Sequence, residues 1–392
     1  MRNQLTRKGS SLRIGSHAWD LDAYKNVYVI GIGKAAADAC FALEKVLGAR
    51  ITDGIALDVK RRPLKRIKSL AGSHPFPSLP NMQATGEIIA ILKHVTPQDL
   101  VITVVSGGGS ALLCWPYEVN CDELTRLTAM LMKNGATIQE INTVRKHLSE
   151  IQGGQFARMA YPATVIGLIF SDVPGDDMAM VASGPTMLDL TTAKDAKRII
   201  DRYELIKTCQ LPNCNLIETP KDPIYFRNVT NVLVVGNSVA LDAMKKEGEQ
   251  RGYRVKLYSN ALTGEARDVG KMLAGLPKAG EMVIAGGETT VTVHGKGKGG
   301  RNQELALGAL PFVGDDVLVA SLASDGIDNT PVAGAIADAV TTAAAKRARL
   351  DASAYLAKND AYTFFKKAGA QIETGITGAN VSDLMIAVRS SS

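Results

Sequence analysis

Residues 101–113, VITVVSGGGSALL, indicate the fold of the chain. They begin with five consecutive β-branched residues, a pattern typical of a strand buried on both faces of a parallel sheet. Gly107, Gly108 and Gly109 then interrupt the strand, and helix-forming residues follow. Because glycine permits backbone angles that other residues avoid, the triplet predicts a sharp strand-to-helix turn. Such a turn also aims N–H groups at one point, which suits a phosphate, and this stretch alone leaves both interpretations open.

Strand, turn and helix patterns recur in this order along the chain. Each short apolar or β-branched run ends in a glycine or aspartate turn, and a helical pattern follows most of these turns. This alternation predicts an α/β protein with parallel strands covered by helices. The segments are 27–47, 101–113, 165–177, 232–252, 255–260, 282–291 and 317–330.

A polar segment, 207–226, contains three prolines and predicts a linker. A new strand–helix unit begins just after it, so we predict two domains, 1–225 and 226–392. Each domain is expected to hold a mostly parallel sheet flanked by helices, and the first, larger domain is expected to be Rossmann-like.

The composition is that of a soluble globular protein, with 392 residues, 46% hydrophobic and 21% charged. Five scattered cysteines argue against a disulfide framework and favour the reducing cytoplasm. Cys209 and Cys214 are interpreted as ordinary loop thiols. No apolar run is long enough to span a membrane, and the basic N-terminal stretch lacks the apolar core of a secretory signal.

The net charge of +6 is modest for this length, and its densest basic run lies at residues 60–68. Nucleic-acid binding would require a recognisable fold or stacking aromatic residues beside that run. Aromatic residues make up only 5% of the chain, so the run predicts a solvated surface and no nucleic-acid partner. A mild positive charge suits an acidic small substrate.

Gly31, Gly33 and Lys34 follow a strand pattern and open a helical one. They resemble a phosphate loop, but the third glycine of G-x-G-x-x-G is absent and the Walker pattern does not match. A lysine at a helix start is unfavourable for the helix dipole. Lys34 is therefore predicted to face a negatively charged ligand, with a chance motif match as the alternative.

Two predicted strands end in aspartate-rich turns, SDVPGDD at 171–177 and SDGID at 324–328. Aspartate at a strand end commonly caps a helix or fixes a turn. Mg²⁺, however, is typically held by one or two carboxylates together with phosphate oxygens. Asp172, Asp176 and Asp325 are therefore candidate metal ligands, and a structural role remains the alternative.

The glycine-rich stretch 295–304, GKGKGGRNQE, ends at the start of a helical pattern. Arg301 at this helix start is unfavourable for the dipole but suits an anionic substrate, and Asn302 lies beside it. A disordered surface loop is the alternative.

Asn142, Arg145 and Lys146 lie three and four residues apart in a predicted helix over 138–148, so they share one face. They are candidate substrate-binding residues, with a solvated helix face as the alternative. The chain has neither the G-x-S-x-G pattern of a serine hydrolase nor paired zinc ligands.

Nine motifs, taken together, resemble the glycerate 2-kinase family, whose second half is called the MOFRL domain. They occur in the family's order over residues 27–388. The motifs are VIGIGKAA, AGSHPFPS, VVSGGGSALL, INTVRKHLSEIQGGQFA, FSDVPGDD, ASGPT, GGRNQELAL, SDGIDNTPVAGAIAD and TGITGANVSDLMIA. Two departures are the short segment before the first strand and GITGANVSDL in place of a GPTGTNVND-like sequence.

The resemblance implies a two-domain α/β enzyme that transfers the ATP γ-phosphoryl group to the 2-hydroxyl of D-glycerate with Mg²⁺. The partners are then ATP and D-glycerate, and a homodimer is expected for such enzymes. Residues matching Lys34 and Arg301 are the family's proposed catalytic pair, with Asp172 and Asp325 as candidates for the base or as metal ligands beside Asp176. The nucleotide phosphates would meet Gly31, Gly33, Ser106, Gly107, Gly108, Gly109 and Ser110, and the substrate would meet Asn142, Arg145, Lys146 and Asn302.

Two other functions are the alternatives. A hydroxypyruvate reductase would need a dinucleotide fingerprint followed by an acid at a strand end, and neither is evident: Asp53 begins a turn. A nucleotide-binding protein without turnover would explain the glycines and cations but not the aspartates at the strand ends.

Overall fold

The protein is described by a computed structural model covering residues 5–208 and 215–391. It divides into two compact units. The first comprises the chain up to Ser171 together with Asp177–Val234, and the second comprises Asp172–Asp176 with the chain from Val235 onward. Cys209 and Cys214 lie outside the described residues.

The first unit contains a six-stranded sheet covered by helices and a small antiparallel meander. The strands are β1 (Leu5–Lys8), β2 (Ser11–Ile14), β3 (His17–Asp20), β4 (Asn26–Ile32), β5 (Asp53–Asp58), β6 (Lys68–Ala71), β7 (Asp99–Ser106), β8 (Thr164–Phe170) and β9 (Val229–Val235). The helices are α1 (Ala36–Leu47), α2 (Leu79–Leu92), α3 (Gly109–Leu112), α4 (Cys121–Lys133), α5 (Ile138–Lys146), α6 (Gln155–Ala160), α7 (Ala193–Arg202) and α8 (Leu205–Thr208).

The large sheet of the first unit has the strand order β6-β5-β4-β7-β8-β9. β4 pairs in parallel with β5 and β7, and β5–β6 and β7–β8 are also parallel. Every residue of β7 is buried, as its run of β-branched residues predicted. The predicted domain boundary at 225/226 precedes β9, which forms the edge of this first sheet.

The second unit also layers helices on a six-stranded sheet. Its strands are β10 (Arg254–Leu262), β11 (Glu281–Gly287), β12 (Val317–Ala323), β13 (Gly334–Ala337), β14 (Gln371–Ile372) and β15 (Asp383–Arg389). Its helices are α9 (Asn237–Gln250), α10 (Ala266–Ala274), α11 (Arg301–Ala309), α12 (Ala339–Arg347), α13 (Ala352–Ala357) and α14 (Ala361–Ala368). The core packs α10, α11 and α14 against the sheet through residues such as Leu305, Phe364 and Met385.

The α/β class and the two sheets are confirmed, but the second sheet differs from the mostly parallel sheet that was predicted. Its order is β10-β11-β15-β12-β13-β14, and only β10–β11 is a parallel pair. The repeated strand–helix pattern does give β10, β11 and β12 one direction. β15, the last strand in sequence, inserts between β11 and β12 and runs antiparallel to both.

Residues of the basic run at 60–68 form ion pairs with other side chains of the first unit. Arg62 pairs with Asp38 and lies 3.8 Å from the centroid of the Phe41 ring. Lys68 pairs with Glu87 at 2.6 Å. Both interactions are on the surface, as predicted for a solvated region of the chain.

Candidate active site

The turn between β4 and α1 packs tightly on the end of β7. Gly33 has φ +111°, and a Cβ there would lie 2.2 Å from the Ser106 hydroxyl oxygen. The Ser106 hydroxyl donates to the Ile32 carbonyl at 3.1 Å and accepts from the Ala35 N–H at 3.2 Å. The N–H groups of Gly33 and Lys34 donate to backbone carbonyls of neighbouring turns. Glycine is therefore required here for close packing.

This geometry differs from the phosphate-binding role predicted for Gly31, Gly33 and Ser106. Gly31 lies within β4, where a Cβ would meet the Cys40 sulfur at 2.5 Å. The polar groups at the start of α1 are already bonded to protein acceptors. In the structure these three residues allow close packing at the turn between β4 and α1 and at the end of β7.

Asp58 is a buried acid at the end of β5 that the sequence analysis missed. Its carboxylate accepts the Ala37 N–H at 3.0 Å and the Val59 N–H at 2.6 Å. In a dinucleotide-binding fold, an acid at this position would bind a ribose hydroxyl. Here the carboxylate is fully buried and instead accepts a hydrogen bond from the first turn of α1. Recognising it required knowing that β5 ends at this residue.

The triple-glycine turn after β7 leaves N–H groups available. Gly108 has φ +80°, and α3 starts at the next residue. Within the described residues, the N–H groups of Gly108, Gly109 and Ser110 donate to no protein acceptor. A Cβ on Gly108 would lie 3.0 Å from Lys34 Cγ, so the lysine side chain lies directly against this turn. The structure thus brings Lys34 and the glycine triplet together, as the sequence predicted.

The Lys34 side chain is exposed and has no ion pair within the part of the chain that the structure describes. A lysine ammonium provides three donors and a compact charge. Beside three N–H groups without protein acceptors, it forms a site with the donors and charge that suit a phosphate.

A turn with left-handed backbone angles at Ala182 and Ser183 packs against the glycine triplet. Ala182 and Ser183 have φ +51° and +58°, values that are costly for residues with a Cβ. A Cβ on Gly109 would lie 2.5 Å from Ala182 Cβ, so the two turns are in close contact. The Ser183 hydroxyl lies 2.9 Å from the Ser110 hydroxyl and donates to Asn142 Oδ1 at 2.7 Å.

The two cations of α5 have different environments. Arg145 is largely buried, and burial lowers its pKa. Within the residues described it has no carboxylate partner. Lys146 is buried as well, but it pairs with Asp189 at 3.2 Å. Arg145 is therefore free to bind an anion, whereas Lys146, predicted to bind substrate, is neutralised by the protein.

Burial by itself raises the pKa of Asp189, but Lys146 and Thr191 outweigh it and hold the pKa below its usual range. Replacing Lys146 with Met should leave a buried, uncompensated carboxylate and lower the free energy of unfolding by about 3–5 kcal/mol. In the wild type, the contribution of Asp189 is complete above its unfolded pKa, about 3.9, and is lost as the pH falls through the folded value.

Urea unfolding of Lys146→Met between pH 3 and pH 7 measures this effect, and Lys194→Met on the surface of α7 is the matched control. The folded fraction of Lys146→Met should keep its turnover. A variant that is fully stable but has a raised KM for substrate would instead support the predicted substrate contact.

Arg301, the first residue of α11, binds two carboxylates in the second unit. Its guanidinium donates to Asp383 at 2.6 and 3.1 Å and to Glu288 at 2.5 Å. Burial lowers the pKa of Arg301, but these carboxylates outweigh it and raise the pKa. Burial also raises the pKa of Asp383, which is fully enclosed at the start of β15. Arg301 is about one-third exposed, although each of its three guanidinium nitrogens contacts a carboxylate.

Asn302 has a structural environment that differs from its predicted contact with substrate. It is fully buried, and its amide N–H groups donate to Asp383 at 2.9 Å and Asp328 at 3.2 Å. Its carbonyl accepts the Ser321 hydroxyl at 2.5 Å. Asp328 also accepts the backbone N–H groups of Asn302 and Gln303, which caps α11 and orients Arg301.

The three candidate metal ligands separate into two groups. Asp176 accepts the first two N–H groups of α9, from Asn237 at 3.0 Å and Ser238 at 2.7 Å, and so caps that helix. The Asp172 carboxylate has no protein partner among the described residues. One Asp325 oxygen accepts the Ile327 N–H at 3.0 Å, and the other has no donor among the residues that the structure describes.

Ser382 links the two remaining acids. Its hydroxyl donates to the Asp172 carbonyl at 3.1 Å, and its own carbonyl accepts the Ser324 N–H at 3.2 Å, next to Asp325. Asp383 follows directly and holds Arg301. Asp172, Asp325 and Arg301 therefore lie around the start of β15, a grouping that the sequence did not reveal.

A cavity of about 800 Å³ lies beside Arg301 within the second unit. Its wall includes the glycine-rich loop before α11, the Glu288 carboxylate and the apolar side chains of Val291 and Ile327. The buried Thr289 hydroxyl also lines it and has no hydrogen-bond partner within the described ranges. A volume of this size accommodates a ligand such as a nucleotide.

In the part of the chain that the structure describes, no group of three or more His, Cys, Asp or Glu side chains is arranged to hold a metal by itself. None of the helices described combines the length and the apolar character that crossing a membrane requires.

Comparison with known proteins gives two family matches. Residues 1–214 match a domain of unknown function, DUF4147, and residues 281–383 match the MOFRL family. A Pyrococcus horikoshii protein named glycerate 2-kinase is 37% identical, and the match covers 92% of this chain and 87% of the relative. An Agrobacterium vitis protein that bears the provisional name hydroxypyruvate reductase is 38% identical over 91% of this chain and 85% of its own length.

A solved structure is also similar. The crystal structure of glycerate kinase from Thermotoga maritima superimposes with a TM-score of 0.83 at 36% identity. The superposition covers 93% of this chain and 91% of the other. The likeness therefore extends over both units of the fold.

Proposed function

The chain belongs to the glycerate kinase family, and on that premise we propose that it transfers the γ-phosphoryl group of ATP to the 2-hydroxyl of D-glycerate. The products are 2-phosphoglycerate and ADP. The observation that carries the proposal is the exposed Lys34, without an ion pair among the described residues, against the unpaired N–H groups of the triple-glycine turn.

Phosphoryl transfer requires positioning and charge stabilisation more than covalent chemistry from the protein. Lys34 and the N–H groups of Gly108, Gly109 and Ser110 provide positive charge and donors for phosphate oxygens in the first unit. Arg301 provides a cation in the second unit, and Asp383 and Glu288 fix its orientation. We assign Lys34 and Arg301 to stabilising the charge on the transferred phosphoryl group.

The carboxylate of D-glycerate needs a cation that the protein does not neutralise. Arg145 meets this requirement, because it is largely buried and has no carboxylate partner among the residues described. Its guanidinium can bind a carboxylate through two parallel hydrogen bonds. We therefore propose Arg145, and not Lys146, as the residue that binds the substrate carboxylate.

The acids of the second unit fit a Mg²⁺ ion that shares its coordination with phosphate oxygens. Mg²⁺ in such sites takes one or two protein carboxylates and completes its octahedron with phosphate and water. Asp172 and the free oxygen of Asp325 supply that number, whereas Asp176 is occupied as a helix cap. When bound, Mg²⁺ neutralises charge on the phosphates.

Asp172 and Asp325 are also the candidates for the base that accepts the proton of the reacting hydroxyl. A metal ligand and a base respond differently to replacement by asparagine. Loss of a ligand raises the Mg²⁺ concentration needed for half-maximal rate, and loss of a base lowers kcat by about 10²–10⁴-fold at saturating Mg²⁺. Initial rates of Asp172→Asn and Asp325→Asn across a Mg²⁺ titration separate the two roles.

We expect Asp325→Asn to show the larger loss of kcat at saturating Mg²⁺ and Asp172→Asn the larger shift in the Mg²⁺ requirement. Asp177→Asn, in the same aspartate-rich turn but exposed, is the matched control. Equal and small effects of both changes would rule out these roles.

Phosphorus NMR of the protein with ATP, Mg²⁺ and D-glycerate tests the function directly. A 2-phosphoglycerate signal supports the proposal, and a 3-phosphoglycerate signal keeps the kinase but overturns the position of transfer. No transfer by a folded protein that binds ATP would favour a binding protein without turnover.

Oxidation of NADH or NADPH in the presence of hydroxypyruvate would favour the reductase that the name of one relative suggests. The α1 start argues against it, because Asp58 already accepts the Ala37 N–H and the preceding N–H groups donate to Ser106 and Gly33.

We also propose a cytoplasmic location. Within the described chain Cys40, Cys114 and Cys121 are free, and the sulfurs of the latter two form a hydrogen bond at 3.4 Å and no disulfide. Free thiols this close together suit a reducing compartment. A homodimer is proposed from the family alone, and light scattering during gel filtration would test it.

A further inference from the structure

Asn142 on α5 starts a chain of hydrogen bonds in the first unit whose direction can be assigned. Its side-chain amide nitrogen lies 3.7 Å from the Met180 sulfur, which can only accept. Its oxygen therefore faces Ser183, whose hydroxyl lies 2.7 Å away. A carbonyl oxygen cannot donate, so the single proton of Ser183 points towards Asn142.

The same reasoning assigns the direction of the hydrogen bond between Ser183 and Ser110. Its hydroxyl oxygen lies 2.9 Å from that of Ser183. Because the Ser183 proton is already donated, this second contact is a hydrogen bond only if Ser110 donates. Ser183 is fully buried and Asn142 is 3% exposed, so water does not compete for either group.

Ser110 is thus half-buried at the edge of the triple-glycine turn with its proton directed inwards. Its remaining lone pairs face outwards and can only accept. This differs from the phosphate-binding role predicted for the Ser110 side chain, since phosphate and carboxylate oxygens also accept. The neighbouring groups of this turn, Lys34 and the N–H groups of Gly108 and Gly109, are all donors.

We infer that the Ser110 hydroxyl oxygen accepts a hydrogen bond from the substrate hydroxyl that is not phosphorylated, and so selects dihydroxy acids over monohydroxy acids. Ser110 cannot serve as the base for the reacting hydroxyl, because the oxygen of a neutral hydroxyl is too weak a base to take that proton. It suits a hydroxyl that keeps its proton throughout. The inference rests on the proposed function for the identity of the substrate as a hydroxy acid.

The test compares D-glycerate with D-lactate, which has the same carboxylate and 2-hydroxyl but no 3-hydroxyl. Isothermal titration calorimetry gives the dissociation constant of each acid for wild type and Ser110→Ala. The wild type should bind D-glycerate about tenfold more tightly than D-lactate, the value of one hydrogen bond between neutral groups. Ser110→Ala should bind D-glycerate about tenfold more weakly, with D-lactate changed less than about twofold.

Ser183→Ala provides a second, independent variant. It removes the acceptor of the Ser110 proton, which frees that hydroxyl to rotate, so the preference for D-glycerate should fall there too. Ser11→Ala, on the exposed side of β2, is the matched control and should keep the wild-type preference. Melting curves establish that each variant is folded.

Equal weakening of both acids in Ser110→Ala, or equal binding of both by the wild type, overturns the inference. A raised KM for ATP in Ser110→Ala would do so as well, because it indicates a phosphate contact. Phosphoryl transfer is assayed separately. Selectivity without transfer would refute the kinase and keep the role of Ser110, whereas transfer without selectivity would refute only the role of Ser110.

Discussion

Lys34→Ala is expected to lower kcat for phosphoryl transfer about 10³-fold, in line with the loss of a single group that stabilises transition-state charge. The melting temperature should stay within about 2 °C of the wild type, because the side chain is exposed and forms no ion pair with the described residues. Initial rates at saturating ATP and D-glycerate, together with a thermal melt, measure both quantities.

Lys25→Ala is the matched control, since it removes an exposed charge from the same unit away from the glycine turn. It should retain activity within about twofold of the wild type, as expected for a neutral surface change. A Lys34→Ala enzyme with unchanged kcat and a raised KM for ATP would place the lysine on a phosphate that does not react.

Arg301→Ala should lower kcat/KM by at least about 10²-fold and destabilise the protein at the same time. It removes the cation that Asp383 contacts at 2.6 Å, and Asp383 is fully buried. Arg301 itself is about one-third exposed, so solvent reduces the cost, and we expect a loss of about 2 kcal/mol in the free energy of unfolding.

The double variant Arg301→Ala/Asp383→Asn separates the two effects. Asparagine keeps the shape of Asp383 and an oxygen that accepts from Asn302, but it carries no charge. Stability should therefore recover while kcat/KM remains low. Recovery of both would show that Arg301 acts only as a structural partner of Asp383.

The pH dependence of the single variant provides an internal check. Burial raises the pKa of Asp383, so its folded state binds a proton more tightly than the unfolded chain does. The penalty for the charged form grows as the pH rises from the unfolded value, about 3.9, through the folded pKa. The stability deficit of Arg301→Ala should shrink on acidification, measured by urea unfolding at pH 5 and pH 7.

The sequence predicted the strands that contain apolar, β-branched runs, because this signal lies within the run itself and does not depend on distant partners. β12 lies within its predicted segment, and β4, β7, β8 and β11 each begin one or two residues before theirs. The sequence did not predict the place of β15, since the insertion of a distant strand between β11 and β12 depends on tertiary pairing. The mostly parallel sheet predicted for the second domain was wrong for that reason, and because β13 also runs antiparallel to β12 and β14.

The sequence likewise predicted part of the candidate site and missed the rest. Lys34 beside Gly108 follows from two turns at one edge of a parallel sheet, which a sequence pattern can reveal. The roles of Ser106, Lys146, Asp176 and Asn302 could not be predicted in this way. Each depends on a partner distant in sequence, such as Asp189 for Lys146 or the start of α9 for Asp176.

The position of β15 also has a consequence for the order in which the protein matures. During synthesis, β11 and β12 emerge well before residues 383–389, the strand that joins them. Until then the second sheet lacks its centre, and Arg301 lacks the carboxylate that orients it. A chain truncated before Asp383 would thus lose both at once, so with the role proposed for Arg301 catalytic competence would arrive only with the last strand.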